Sequence, residues 1–134
     1  MNLLAKISTL MSTELVTVTI DTPVAVALGL LNKHNIHHLP VLDPERRLVG
    51  MLSHSDFLKL NDRGTGLHTV KEIMTPHIAS LEPTDTIRTA ANLFMLNKFH
   101  ALPVQEGEKL IGMLTTLDLI RLIDEEEIRL EDYV

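Results

Sequence analysis

Gly50-Met51-Leu52-Ser53-His54-Ser55-Asp56 returns as Gly112-Met113-Leu114-Thr115-Thr116-Leu117-Asp118, 62 residues later. Leu39-Pro40-Val41 returns as Leu102-Pro103-Val104, and Leu10-Met11-Ser12 as Ile73-Met74-Thr75, both displaced by 63. The missing residue falls in the turn Asp43-Pro44-Glu45-Arg46, which matches Glu106-Gly107-Glu108. Loops absorb such changes cheaply. Three matches in one order, at spacings that differ by a single residue, mark an internal duplication, and the fold is read as two copies of one unit.

Each copy carries the same succession of patterns. Leu15-Val16-Thr17-Val18 and Ile78-Ala79-Ser80-Leu81 read as short extended segments. A helix start follows, at Thr22-Pro23 in one copy and Asp85-Thr86 in the other. Val24, Ala27, Leu28 and Leu31 form a one-sided apolar stripe, as do Ile87, Ala90, Ala91 and Phe94. Leu39–Leu42 and Leu102–Val104 read as strands, each with a proline, and Leu48–Leu52 and Leu110–Leu114 as their hairpin mates. A second helix is expected to begin near Asp56 and near Asp118. The predicted class is α/β: a tandem pair of β-α-β-β-α repeats with pseudo-two-fold symmetry, small sheets packed together and flanked by helices. So small a unit buries too little surface to be comfortable alone, and two would share a core. The predicted division is repeat 7–60, linker 61–69, repeat 70–124 and an acidic tail 125–134.

Composition narrows the function. The 134 residues carry a formal net charge of −6. Sequence-independent nucleic-acid binding needs Lys and Arg to displace counterions, so no nucleic acid polymer is expected as partner. The absence of cysteine excludes disulfides, thiolate zinc sites and cysteine nucleophiles, and suits a reducing compartment. No apolar run approaches the ~20 residues that span a bilayer. Met1–Lys6 lacks the regions of a signal peptide. The expected setting is the cytoplasm, with no membrane partner.

The ordered set of Met-(Ser/Thr), helix, Leu-Pro-Val, turn, Gly-Met-Leu-(Ser/Thr)-x-x-Asp and apolar helix resembles the CBS domain. Its duplication resembles a CBS pair, or Bateman module, over nearly the whole chain, as a stand-alone CBS-domain protein. The resemblance implies an adenosine-containing ligand (AMP, ADP, ATP, NAD or S-adenosylmethionine) in clefts between the repeats, with occupancy signalled to a regulated partner. It also implies association through the helices into a disc-like homodimer.

The residues allow roles to be assigned within that resemblance. Ser53 and Thr115 stand where a strand gives way to a helix N-terminus, which welcomes an anion; their hydroxyls can donate to phosphate. Asp56 and Asp118, three residues on, can accept from the two ribose hydroxyls. Ser, Thr and Asp at a helix start are also ordinary caps, and both readings stand at this point. His37, His38 and His100 precede the proline strands, where an imidazole can stack on adenine or donate to phosphate; Ile36, Leu39 and Phe99 could sandwich the base. Pro40 and Pro103 are implied to line the cleft, and Thr17 and Ser80 to meet the adenine edge. Near these motifs the cations are Arg46, Arg47, Lys59, Arg63, Lys109 and Arg121. So few favour AMP or ADP over ATP.

Other functions fit less well. His34, His37 and His38 have metal-ligand spacing only if one helix carries all three, and the helix should end near Asn35, so no metal is expected. No nucleophile-and-base order, P-loop or dinucleotide fingerprint is present, and no enzyme is expected. The alternative is a structural, dimerising CBS module without ligand binding.

Overall fold

A computed structural model describes residues 2–64, 66–97 and 100–125, without the side chains at 62, 63 and 97. Thr65, Phe99, the Arg63 side chain and the acidic tail beyond Glu125 therefore lie outside the described residues. Two compact units emerge, and neither is a simple half of the chain.

The unit formed by 14–79 and 107–110 contains β1 (Val18–Thr19), α1 (Val24–His34), β2 (His38–Leu42), β3 (Leu48–Ser53), α2 (Val70–Ile73) and β4 (Thr75–Pro76). Its sheet runs β1-β2-β3-β4. Val18 lies parallel beside Val41, while Leu39 faces Leu52 and Met51 faces Thr75 in antiparallel pairs. Val24, Ala27 and Leu31 of α1 bury the predicted stripe against Leu39, Val41, Leu52, Val70 and Ile73. Helix α1 stops at Asn35, whose left-handed backbone (φ 51°) suits Asn at a helix end. The start differs from expectation. Pro23, still extended, takes the cap position; Thr22 Oγ1 instead accepts from the Thr19 N–H at 3.0 Å. The Val24 N–H is satisfied by the His68 carbonyl.

The unit formed by the described residues within 2–13, 80–106 and 111–125 contains α3 (Ile87–Asn97), β5 (Ala101–Glu106), most of β6 (Lys109–Thr115) and α4 (Thr116–Asp124). β5 and β6 pair, Leu81 adds a parallel bridge to Val104, and Ser12 an antiparallel bridge to Met113. The order repeats that of the other sheet.

The duplication thus folds with an exchange. Each Met-(Ser/Thr) segment completes the sheet of the copy it does not belong to by sequence position. Met74-Thr75 lies beside Gly50-Met51, and Met11-Ser12 beside Gly112-Met113. A Cβ on Gly50 would stand 2.8 Å from Met74 Sδ and 3.0 Å from the Thr75 carbonyl oxygen. A Cβ on Gly112 would stand 2.7 Å from Met11 Sδ and 3.1 Å from the Ser12 oxygen. The repeated Gly-Met-Leu therefore begins with glycine because another backbone passes close by.

The second helices differ. α4 is α-helical, as expected, whereas His54–Arg63 forms 3₁₀ turns broken at Asn61 (φ 52°). Ser55 stands where α4 has Leu117, a stronger helix former, and Ser competes for the backbone with its own side chain.

Candidate functional site

Ser53 ends β3 and opens the 3₁₀ turns; Thr115 ends β6 and opens α4. Both aspartates cap. Asp118 Oδ2 accepts from the Thr115 N–H at 2.8 Å, and Thr115 Oγ1 accepts from the Asp118 N–H at 3.3 Å, a reciprocal capping box. Asp56 Oδ2 likewise accepts from the Ser53 N–H at 2.8 Å.

Beyond the cap the two copies part. Asp56 is the buried acidic residue of the described chain. Its Oδ2 also accepts from Ser53 Oγ at 3.2 Å, and its Oδ1 from Thr75 Oγ1 at 3.0 Å and Lys59 Nζ at 2.9 Å. Lys59 Nζ is fixed further by the Ile73 carbonyl at 2.9 Å. Asp118 Oδ1, by contrast, has only Arg121 Nη1 nearby among the described residues, at 3.9 Å. The Thr115 hydroxyl uses its oxygen as acceptor and keeps its proton to donate.

The histidines fall beside these motifs. His38 pairs with Ser53 across the hairpin, and the His37 and His54 rings lie 5.8 Å apart at a 60° tilt. The His100 carbonyl accepts from the Thr116 N–H at 2.9 Å, which seats His100 at the start of α4. Pro40 and Pro103 are buried strand residues. Ser80 is exposed, one residue before the bridge from Leu81 to Val104.

Thr17 is placed elsewhere. It lines a cavity of about 460 Å³ at the turn end of the β2–β3 hairpin, whereas His38 and Ser53 pair at the open end. Arg46, Arg47 and Lys109 contribute cations to this cavity, and Glu45 and Glu108 carboxylates. Arg47 is already engaged: its Nε lies 2.9 Å from Asp43 Oδ2. The Arg47 backbone N–H and guanidinium hold the Asp43 carboxyl below its usual range, and the hydrogen bond to Asp43 raises Arg47 in turn. The lining is of mixed sign, which limits its pull on a highly charged anion. Sequence spacing could not gather these residues, because the turns at 43–47 and 107–110 meet only in the fold.

Helix α1 ends at His34, so His34, His37 and His38 do not share one helix face. Among the described residues no group of three His, Asp or Glu side chains comes together as a metal site. None of the described helices is long and apolar enough to cross a membrane.

Comparison with known proteins places these observations. The sequence model of the CBS domain matches residues 7–62 and 70–125. A CBS domain-containing protein of Dictyostelium discoideum is 35% identical over 127 residues, covering 85% of this chain and 88% of the relative. An inosine-5'-monophosphate dehydrogenase of Methanocaldococcus jannaschii is 29% identical over 109 residues, which make up 81% of this chain but only 21% of that enzyme. Among solved structures, CBSX2 in complex with AMP superposes with a TM-score of 0.81 at 30% identity, covering 92% of this chain and 98% of CBSX2. The CBS domain pair of protein MJ0100, in complex with 5-methylthioadenosine and S-adenosyl-L-methionine, gives a TM-score of 0.79 at 25% identity, covering 89% of this chain and 99% of that one.

Proposed function

Starting from the fact that this chain belongs to the CBS domain family, we propose that it is a non-enzymatic regulatory module that binds an adenosine-containing ligand and signals occupancy to a partner protein. The supporting observation is the pair of uncommitted groups at the start of α4. The Thr115 hydroxyl proton and Asp118 Oδ1 make no hydrogen bond among the described residues. A donor for phosphate and an acceptor for a ribose hydroxyl thus stand three residues apart, with His100 adjacent. The α4 N-terminus adds amide dipoles that favour an anion. AMP and 5-methylthioadenosine, found with the related structures, share the adenosine group.

AMP or ADP is favoured over ATP. Lys59 is spent on Asp56 and Arg47 on Asp43, so few cations are left for a long phosphate chain. Occupancy acts by differential affinity: a ligand that binds one state of the protein more tightly shifts the population toward it. Adding AMP or ADP in large excess is expected to raise the melting temperature; at a hundredfold excess over Kd the gain is about 2.7 kcal/mol. A flat response across AMP, ADP, ATP, NAD and S-adenosylmethionine would leave the structural module as the function.

A homodimer belongs to the same reading. Leu117, Ile120 and Ile123 form an exposed apolar stripe along α4, at the spacing of one helix face. Neighbouring α3 exposes Met95 and Leu96. A second copy packed on this surface would remove it from water. Sedimentation should then show a dimer that Ile120→Glu converts to a monomer, whereas a monomeric parent protein would reject the dimer.

A further inference from the structure

The two Ser/Thr-x-x-Asp motifs are equal as sequence and unequal as chemistry. An ionised carboxylate offers about four acceptor positions. At Asp56 four donors fill them: the Ser53 N–H, the Ser53 hydroxyl, the Thr75 hydroxyl and the Lys59 ammonium. The Ser53 hydroxyl lies 3.2 Å from that carboxylate and 2.9 Å from Ser55 Oγ, so its single proton has an acceptor at hand in either direction. A ribose could bind Asp56 only by displacing Thr75 or Lys59. Displacement would expose a buried carboxylate to loss of its counter-charge, a costly exchange for a neutral diol.

The second copy lacks this lock, for visible reasons. Ser12 occupies the position of Thr75, yet its bridge to Met113 is made by backbone alone. Arg121 occupies the position of Lys59 and stops 3.9 Å from Asp118 Oδ1. Thr is stiffer than Ser at χ1, and Lys59 Nζ also donates to the Ile73 carbonyl at 2.9 Å.

We propose that Lys59 and Thr75 close the first motif, so that the chain takes one adenosine ligand, through Thr115 and Asp118, while Asp56 serves as a structural carboxylate. This rests on the ligand-binding reading above. The two copies would then have divided their labour: one braces the sheet joined by Thr75, and the other remains open to a sugar hydroxyl.

Isothermal titration with AMP tests it on the full chain. The parent protein is expected to bind one AMP per chain, and Asp118→Asn to weaken that binding about tenfold or more, the usual cost of losing a charge-assisted hydrogen bond. The double variant Lys59→Met, Thr75→Val frees Asp56 and is expected to gain a second binding event without losing the first. Two equivalent AMP sites in the parent protein, or undiminished binding in Asp118→Asn, would overturn the inference and leave ligand binding intact. No binding of AMP, with no response to ADP, ATP, NAD or S-adenosylmethionine, would overturn both.

Discussion

Asp56→Ala is expected to cost about 2–3 kcal/mol of stability, where Asp118→Ala costs about 0.5–1 kcal/mol. Both substitutions remove the carboxylate that accepts from the preceding strand-end N–H. At Asp118 little else is lost, because Arg121 stands 3.9 Å away and its side chain is two-thirds exposed to water. At Asp56 the Ser53 and Thr75 hydroxyls and the Lys59 ammonium lose their shared acceptor together. Removing one partner of a buried ion pair can cost more than 3 kcal/mol. Here the half-exposed Lys59 can turn to solvent, which lowers the figure. Urea denaturation of the two variants beside the parent protein measures the difference. Equal losses would show that Asp56 braces nothing beyond its own cap.

The second large effect concerns Leu52 and Leu114, the leucines of the repeated Gly-Met-Leu. Both are fully buried, and Leu52 faces Leu39 across the hairpin. Truncation to alanine removes three carbons and leaves a cavity that a packed sheet closes only in part. Leu52→Ala and Leu114→Ala are each expected to cost about 2–5 kcal/mol. Leu58, exposed on the 3₁₀ segment, supplies the contrast: Leu58→Ala should stay within about 0.5 kcal/mol. Chemical denaturation of the three variants gives the comparison. A cost at Leu114 no larger than at Leu58 would show that the second sheet does not bury its leucine in solution.

What was legible in the residues alone had a local cause, although the cap at Pro23 and the 3₁₀ form of His54–Arg63 were local features the residues did not announce. The apolar stripe of Val24, Ala27 and Leu31 specifies a helix with one buried face, because side chains three and four apart share a side. Asn35 marks that helix's end through its tolerance of a left-handed backbone. Leu39-Pro40-Val41 and Val49-Gly50-Met51-Leu52 are short and apolar, and the turn between them makes them a hairpin. The duplication supplied the topology twice over. Even the cap at Asp118 follows from a spacing of three residues.

Other features were set by contacts between residues far apart in the chain. Thr75 reaches Asp56 across 19 positions, and no periodicity announces that partner. The exchange of Met11-Ser12 and Met74-Thr75 between copies depends on which strand edge is free, a property of assembled sheets. Arg46 and Lys109 line one cavity only because two turns meet there. The sequence wrote the same Ser/Thr-x-x-Asp twice. Only the tertiary structure decided that one carboxylate is saturated and the other open, because a lone pair is claimed by whichever donor the fold brings within about 3 Å.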